Sequence, residues 1–167
     1  MKRTLLLAAV AAALPSLAQS PTAGFVFRAQ LSGYQEVPAV ATNASGTLDL
    51  MLSGDAQSIE YVLSYSRLQG TVQQAHIHFA QPGVNGAIVV WLCGTATNPG
   101  PAGTPTCPQS GTVTGLLTAA HVLATPSTQQ LGAGELAKFI QALRASAAYA
   151  NVHTSLSPGG EIRGQVF

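Results

Sequence analysis

Three of the four histidines in the chain lie in two short segments in which apolar and polar residues alternate. His76 and His78 flank Ile77, and His153 follows Val152. Successive side chains of a β-strand point to opposite faces, so Ile77 and Val152 can face a core while the imidazoles face the other way. Two imidazoles two residues apart on a strand can share a metal ion, and a third imidazole from a neighbouring strand would complete the site. The spacing therefore predicts a metal site at His76, His78 and His153.

The ligand type narrows the choice of metal. Imidazole nitrogen suits copper or zinc, whereas calcium and magnesium prefer oxygen ligands, so we predict copper or zinc as the cofactor. The alternative is a polar strand face whose histidines form ordinary hydrogen bonds and bind no metal. The fourth histidine, His121, lies in a segment without a partner pattern and is interpreted as structural.

A third alternating segment near the C-terminus places Glu161 and Arg163 on one face. The turn at 157–160 predicts a hairpin between this segment and the one that carries Asn151 and His153. In that hairpin His153 lies opposite Glu161 or Arg163, and opposite Glu161 the carboxylate can accept an imidazole N–H and orient the ring. We predict that Glu161, Arg163 and Asn151 surround the metal ligands, with Arg163 attracting an anion. The alternative is a surface ion pair between Glu161 and Arg163, worth less than about 1 kcal/mol.

Eight segments have the length and composition of strands, and turns rich in glycine, proline and asparagine separate them. Many short strands with such turns are typical of a β-sandwich or barrel. The segment 135–148 differs, because its apolar residues recur at helical spacing and predict one amphipathic helix on an end or edge of the β structure. The predicted fold is mainly β, with one peripheral α-helix. The predicted strands are 25–31, 46–52, 59–65, 75–79, 87–92, 111–117, 150–154 and 161–166.

The N-terminus has the organisation of a secretory signal peptide. Lys2 and Arg3 precede an apolar run at 5–14, and a small-x-small site ends at Ala18. The run is too short to span a bilayer, so we predict cleavage after Ala18 rather than a retained membrane anchor. Residues 1–18 are then the signal peptide, 19–24 a short lead-in and 25–167 a single domain. We expect an exported protein, periplasmic or extracellular, with no membrane span after removal of the signal.

Charge and cysteine content fit this expectation. Charged residues make up 8% of the chain, and without the signal the formal charge falls from +1 to −1. No basic patch remains, so nucleic acid is not expected as a partner, and a hydrophobic content of 47% is too high for a disordered chain. Cys93 and Cys107 enclose a loop rich in proline and glycine, and their spacing does not fit a Cys-x-x-Cys motif. In an oxidising compartment a Cys93–Cys107 disulfide is favoured over two free thiols or a pair of metal ligands.

Three motifs occur in order along nearly the whole mature chain: FRAQLSGYQEVP at 27–38, AHIH at 75–78, and NVHT with GEIRGQ at 151–165. Together they resemble the CHRD domain, a family named from chordin that also occurs in exported bacterial proteins. The resemblance implies an immunoglobulin-like, antiparallel β-barrel similar to that of copper/zinc superoxide dismutases. By this resemblance, AHIH is similar to the His-x-His copper strand of those enzymes. His153 is similar to their later copper histidine, and Arg163 to their active-site arginine. No bridging histidine, zinc-loop histidines or zinc aspartate is recognisable, so the resemblance implies a copper-only or vestigial site.

We expect a non-enzymatic binding module with a three-histidine copper or zinc site. One alternative is a copper-dependent enzyme of superoxide-dismutase type, in which Arg163 steers the anionic substrate. Another is a protein-interaction or matrix module in which the histidines are structural. The sequence has no Gly-x-Ser-x-Gly elbow, phosphate loop or His-Glu-x-x-His helix, and so predicts no catalytic residues. It identifies no protein partner.

Overall fold

The computed structural model describes residues 24–167. The predicted signal peptide at 1–18, and all of the predicted lead-in except Gly24, lie outside the described residues. Within the described part, no helix is both long enough and apolar enough to cross a membrane.

Eight strands form one antiparallel sheet with the order β5-β4-β7-β8-β1-β2-β3-β6. The two ends of this order, β5 and β6, also touch, so the sheet curls into a nearly closed barrel. The connections from β3 to β4 and from β6 to β7 join strands that are not neighbours, as in Greek-key folds. The predicted fold class is confirmed. The strands are β1 (Val26–Ser32), β2 (Ser45–Leu52), β3 (Ile59–Ser66), β4 (Val72–Phe79), β5 (Ala87–Cys93), β6 (Gly111–Leu117), β7 (Ala148–Thr154) and β8 (Ile162–Gln165).

Alternate residues of the strands fill the barrel interior. Ile77 of β4 and Val152 of β7 both have no exposed surface and belong to the hydrophobic core. Their neighbours along each strand therefore point to the outer face of the barrel. The strands β1, β3 and β6 expose residues of that outer face to solvent, but every residue of β7 and of β8 is buried. Loops thus cover β7 from outside, and the predicted site lies beneath them.

The one α-helix among residues 24–167, α1 (Leu136–Arg144), buries an apolar stripe that includes Phe139 and Leu143. The predicted helix extended to Ala148, which is wrong at this end. Ser146 has a φ of +52°, a left-handed conformation that ends the helix, and β7 begins at Ala148. The error arose because an apolar alanine suits a buried strand as well as a helical stripe.

The Cys93–Cys107 disulfide is confirmed. It ties the end of β5 to the far side of an irregular loop at 94–107, and the two cysteines are 14 residues apart. By the entropy of closing a loop of this length, the bond contributes about 3 kcal/mol to stability. The loop is therefore held firmly against β5.

Candidate metal centre

The neighbouring strands β4 and β7 bring three histidines together on the outer face of the barrel. Their register pairs His76 with Asn151, and places His153 opposite Gln74. One ring nitrogen from each of His76, His78 and His153 lies within 4.8 Å of the others. These residues form the three-histidine cluster, and the convergence predicted from their spacing is present.

Covering loops bury the three-histidine cluster. His76 is fully buried, and His78 and His153 are 7% and 6% exposed. Burial lowers the pKa of His76 to about 2, with a further contribution from His153 and His78, and it lowers the pKa of His78 to about 4. Burial also lowers the pKa of His153. All three rings are therefore neutral at physiological pH, which is the state that can bind a metal.

Backbone carbonyls orient two of the rings. Nδ1 of His78 lies 3.0 Å from the carbonyl oxygen of Gly86, and Nδ1 of His153 lies 2.9 Å from that of Pro158. A carbonyl oxygen can only accept a hydrogen bond, so both Nδ1 atoms carry the proton. Both Nε2 atoms then present a lone pair. Metal-binding histidines are commonly fixed in this way by a hydrogen bond at the other ring nitrogen.

The third ring completes the arrangement. Nδ1 of His76 lies 3.1 Å from Nε2 of His153, which is an acceptor, so His76 donates to His153. The Nε2 atoms of His76 and His78 are both buried without a partner. A metal ion among the rings would replace the hydrogen bond between His76 and His153 and would use lone pairs that are otherwise unsatisfied.

Unpartnered polar atoms concentrate in this part of the protein. Buried polar atoms without a hydrogen bond are uncommon in folded proteins and often mark the place of an ion or a water molecule. The described residues contain five buried side-chain atoms of this kind, and one of them belongs to Gln165. The other four belong to the three-histidine cluster and to residues beside Arg163, namely His76, His78, Glu36 and Asn151. The donor set and its unsatisfied atoms therefore fit a metal ion.

Two aromatic side chains frame the cluster, and the sequence reasoning missed both. The ring of Trp91 stands edge-on to His76 with the centroids 4.3 Å apart, and the ring of Tyr149 is stacked on His78 at 4.7 Å. These contacts restrict rotation of the two imidazoles. Tyr149 could have been found, because it alternates with Asn151 on the face of β7 that carries the third histidine.

Arg163 contacts the site in a different way from the one expected. It is only 2% exposed, and its guanidinium carbon lies 3.4 Å from the centre of the Tyr149 ring. Its Nη2 donates to the carbonyl of Val84 and its Nη1 donates to Oδ1 of Asn85, at 2.7 and 3.0 Å. Arg163 thus fixes the β4–β5 loop over the site and supports the ring that stacks on His78. An anion in solvent does not meet this guanidinium.

The carboxylate of Glu161 accepts four hydrogen bonds, and none comes from a histidine. The expected bond between Glu161 and an imidazole is wrong, because the carbonyl of Pro158 takes that position at His153. The last residue pair of the β7–β8 ladder is Val152 with Ile162, so the alternation of faces stops before Glu161. The four donors are Thr42 Oγ1 (2.9 Å), Gln69 N (2.7 Å), Gly70 N (3.2 Å) and Thr154 Oγ1 (2.9 Å).

Asn151 lies between the histidines and the arginine, as its place in the hairpin predicts. The register pairs it with His76 on one side and with Arg163 on the other. Its Nδ2 donates a long hydrogen bond of 3.4 Å to the carbonyl of Gly159, and its Oδ1 has no partner. Asn151 therefore has hydrogen-bonding capacity left for groups that enter the site.

Glu36 is a further buried group that approaches Asn151. Burial raises the pKa of its carboxyl to about 7, although the charge of Arg163 opposes this effect. The approach depends on Gly160, which has a φ of +128° and whose added Cβ would lie 2.2 Å from Oε1 of Glu36. A glycine is required at this position on both grounds.

His121 lies apart from the cluster. Its Nδ1 accepts a hydrogen bond of 3.0 Å from the backbone N–H of Thr118, in a short 3₁₀ turn at Ala119–His121. This local contact agrees with the structural interpretation of His121.

A family model for the CHRD domain matches residues 27–166. The match begins within β1, ends after β8 and includes all three residues of the cluster. No curated protein and no solved structure matches the chain significantly.

Proposed function

The chain belongs to the CHRD domain family, and from this premise we propose that it is an exported, non-enzymatic module that binds one copper or zinc ion. The ligands are His76, His78 and His153. The observation that carries the proposal is their arrangement as three buried, neutral imidazoles whose nitrogens lie within 4.8 Å of one another. The Nδ1 protons of two of them are committed to backbone carbonyls, which leaves the opposite lone pairs available.

The choice of copper or zinc follows from the donors. The cluster consists of imidazole nitrogen alone among the described residues, and this favours a borderline transition metal over calcium or magnesium. The carbonyls of Gly86 and Pro158 hold the rings in the tautomer that binds metal. Tyr149 and Trp91 limit the rotation of the rings. A bound ion would cross-link β4 to β7.

Export to the periplasm or the extracellular space is part of the proposal. The Cys93–Cys107 disulfide supports it, because structural disulfides persist mainly in oxidising compartments. The basic and apolar N-terminal segment supports it as a signal peptide. The proposed exported domain comprises residues 25–167.

Metal analysis of the exported protein tests the proposal, combined with thermal unfolding with and without a chelator. We expect close to one equivalent of copper or zinc in the wild type, and a lower melting temperature after chelation. A ligand present at 100 times its Kd stabilises the folded state by about 2.7 kcal/mol. The variant His78→Gln should lose both effects. The matched control is His121→Gln, which alters the histidine outside the cluster and should keep both effects.

Two results would contradict the proposal. One is metal content in His78→Gln equal to that of the wild type and of His121→Gln, which would place the ion elsewhere. The other is the absence of metal from all three proteins after incubation with copper and zinc salts, together with no effect of chelator. That second result would favour a protein-interaction or matrix module with structural histidines.

A copper-dependent redox enzyme of superoxide-dismutase type is the second candidate. Three protein ligands leave a coordination position open, as in catalytic metal sites, and this favours the candidate. The burial of Arg163 beneath the β4–β5 loop weighs against it, because a substrate anion would not reach the guanidinium. Superoxide turnover by copper-loaded protein, lost in His78→Gln, would promote the enzyme over the binding module.

A further inference from the structure

A cavity of about 190 Å³ lies at the seam of the barrel, apart from the metal ligands. The strands β5 and β6 meet at this seam, but they are the two ends of the sheet order and no ladder joins them. The cavity therefore occupies the place where the barrel wall is incomplete. Its lining includes Tyr61, Trp91, Pro101, Leu117, His121 and Leu123.

Both aromatic walls of the cavity are held in place. The hydroxyl of Tyr61 donates to the carbonyl of Leu92 at 2.6 Å, and a Cβ on Gly115 would lie 2.5 Å from the Tyr61 ring. Trp91 contacts His76 and is also approached by Gly100, which has a φ of +70° and whose Cβ would lie 2.6 Å from the indole. The two rings therefore pack directly on glycine backbone and have little freedom to fill the space beside them.

The third wall is the loop at 94–107. The residues at 101–105 line the cavity, and the Cys93–Cys107 disulfide fixes the loop at its base. A hydrogen bond of 2.7 Å from Oγ1 of Thr104 to the carbonyl of Pro101 stiffens the segment itself. A wall built in this way keeps the cavity open in the absence of a ligand, as in most small-molecule sites.

His121 gives the cavity one defined polar group. The backbone N–H of Thr118 can only donate, and it points to Nδ1 of His121 at 3.0 Å. In the neutral ring the proton is therefore on Nε2, so the imidazole offers a hydrogen-bond donor. None of the described residues that line the cavity carries a charged side chain. The lining combines apolar side chains with a few polar ones and no charge, which favours a neutral molecule with an apolar ring and a hydrogen-bond acceptor.

We propose that this cavity binds a neutral molecule of one aromatic ring that carries one hydrogen-bond acceptor, such as an aryl ketone. An apolar cavity of about 150 Å³ is sufficient for benzene, so the present volume takes one ring with a short substituent. The rings of Trp91 and Tyr61 favour an aromatic partner, because offset and edge-on contacts between rings add to the gain from burial. The acceptor is the partner of Nε2 of His121. None of the three proposed metal ligands lines this cavity, and the proposal does not rest on the metal function, although the wall residue Trp91 also contacts His76.

The only tryptophan of the chain lies in the cavity wall, and it provides the readout. Its indole N–H gives one resonance in a ¹⁵N-correlated NMR spectrum of the whole protein, recorded without added metal. Acetophenone is the probe, and isopropylbenzene is the control of similar shape that lacks the acceptor. We expect a saturable shift of the Trp91 resonance with acetophenone. Isopropylbenzene should bind roughly 2- to 12-fold more weakly, the ratio that one hydrogen bond provides.

Two neighbouring alanines give matched variants. Ala119 and Ala120 are both exposed residues of the same 3₁₀ turn, but only Ala120 lines the cavity. Ala120→Phe should fill the space and weaken acetophenone binding at least tenfold, whereas Ala119→Phe should leave it unchanged. The dispersion of the same spectra shows that each variant is folded. In the wild type, nuclear Overhauser effects from acetophenone to Trp91 and Leu123 give a second readout that needs no variant.

The proposal is overturned if acetophenone at millimolar concentration causes no saturable shift and no Overhauser effect in the wild type. It is also overturned if Ala120→Phe and Ala119→Phe bind the probe equally well. Equal binding of acetophenone and isopropylbenzene would remove the role assigned to His121. A failure to find metal at the three-histidine cluster affects none of these results.

Discussion

Replacing the buried carboxylate of Glu161 tests whether its hydrogen bonds stabilise the turn at 157–160, which orients His153. Glu161 is 1% exposed and follows Pro158, whose carbonyl fixes His153. The variant Glu161→Gln keeps the size and shape of the side chain. It replaces one acceptor oxygen by an NH₂ group, and this group meets donors wherever it is placed.

The size of the effect follows from the four donors. Each carboxylate oxygen accepts one backbone N–H, from Gln69 or from Gly70, and one threonine hydroxyl. A hydroxyl can rotate and accept from the new NH₂ group, but a backbone N–H cannot, so one of the two amides loses its partner. An unsatisfied buried donor costs about 1–3 kcal/mol, and hydrogen bonds to a neutral acceptor are weaker than those to a carboxylate. We expect Glu161→Gln to lower the free energy of unfolding by about 2–4 kcal/mol at pH 7.

Urea denaturation at several pH values checks both the size and the cause. Burial by itself raises the pKa of Glu161, but the hydrogen bonds from Gln69, Gly70 and the two threonines outweigh it and hold the pKa below 4.5. A carboxyl whose pKa is lowered on folding stabilises the folded state above its unfolded pKa, and this contribution is lost as the pH falls through the folded pKa. The difference between the wild type and Glu161→Gln should therefore be constant from pH 7 to about 5 and should shrink at lower pH. Other titrating groups are common to both proteins and cancel in the difference.

A difference below about 1 kcal/mol at pH 7 would show that the four hydrogen bonds are not formed as described. A difference that stays the same from pH 7 to pH 3 would show that the ionised carboxylate is not their acceptor. Either result would refute the structural role assigned to Glu161.

Three further predictions concern stability. Gly160→Ala should destabilise the protein by about 2 kcal/mol or more, because Gly160 has a φ of +128° and the new Cβ would lie 2.2 Å from a buried carboxylate oxygen. The adjacent Gly159→Ala is the control: its new Cβ meets no atom within 4 Å, so it should change stability by less than about 0.5 kcal/mol in the same urea assay. Replacing both Cys93 and Cys107 by alanine should lower stability by about 3 kcal/mol, and an unchanged melting temperature would contradict this. The pKa of each histidine in the cluster is lowered on folding, so the unfolded chain binds protons that the folded protein does not. Metal-free protein should therefore lose stability as the pH falls below 6.5, by at most about 1.4 kcal/mol per pH unit for each ring. Calorimetry should find a smaller loss in His78→Gln.

The sequence predicts the strands and the histidine cluster well, because both depend on a period of two. Once Ile77 and Val152 face the core, the faces of the adjacent histidines are determined. Their convergence further requires that β4 and β7 be neighbours, and the alternation alone does not establish this pairing.

The groups that orient the histidines could not be predicted, for a physical reason. The acceptors at His78 and His153 are the backbone carbonyls of Gly86 and Pro158, and a carbonyl has no signature in the sequence. The hairpin prediction placed His153 opposite Glu161 or Arg163, but the ladder pairs Arg163 with Asn151 and ends before Glu161.

Trp91 illustrates a second limit. The β4–β5 pairing contains register irregularities between Ala75 and His76 and between Ile77 and His78. A bulge of this kind changes which residues lie side by side, so a uniform period does not place Trp91 beside His76. The end of α1 was missed in a similar way, since it depends on the left-handed backbone of Ser146.

The central claim is that the rings of His76, His78 and His153 bind one metal ion together. X-ray absorption at the metal edge of zinc- or copper-loaded protein tests this most directly. Three imidazole ligands with metal–nitrogen distances of about 2.0–2.1 Å are expected, and the signal of one imidazole should disappear in His153→Gln. A spectrum fitted by oxygen ligands without imidazole, or one that is identical in the wild type and His153→Gln, would contradict the account.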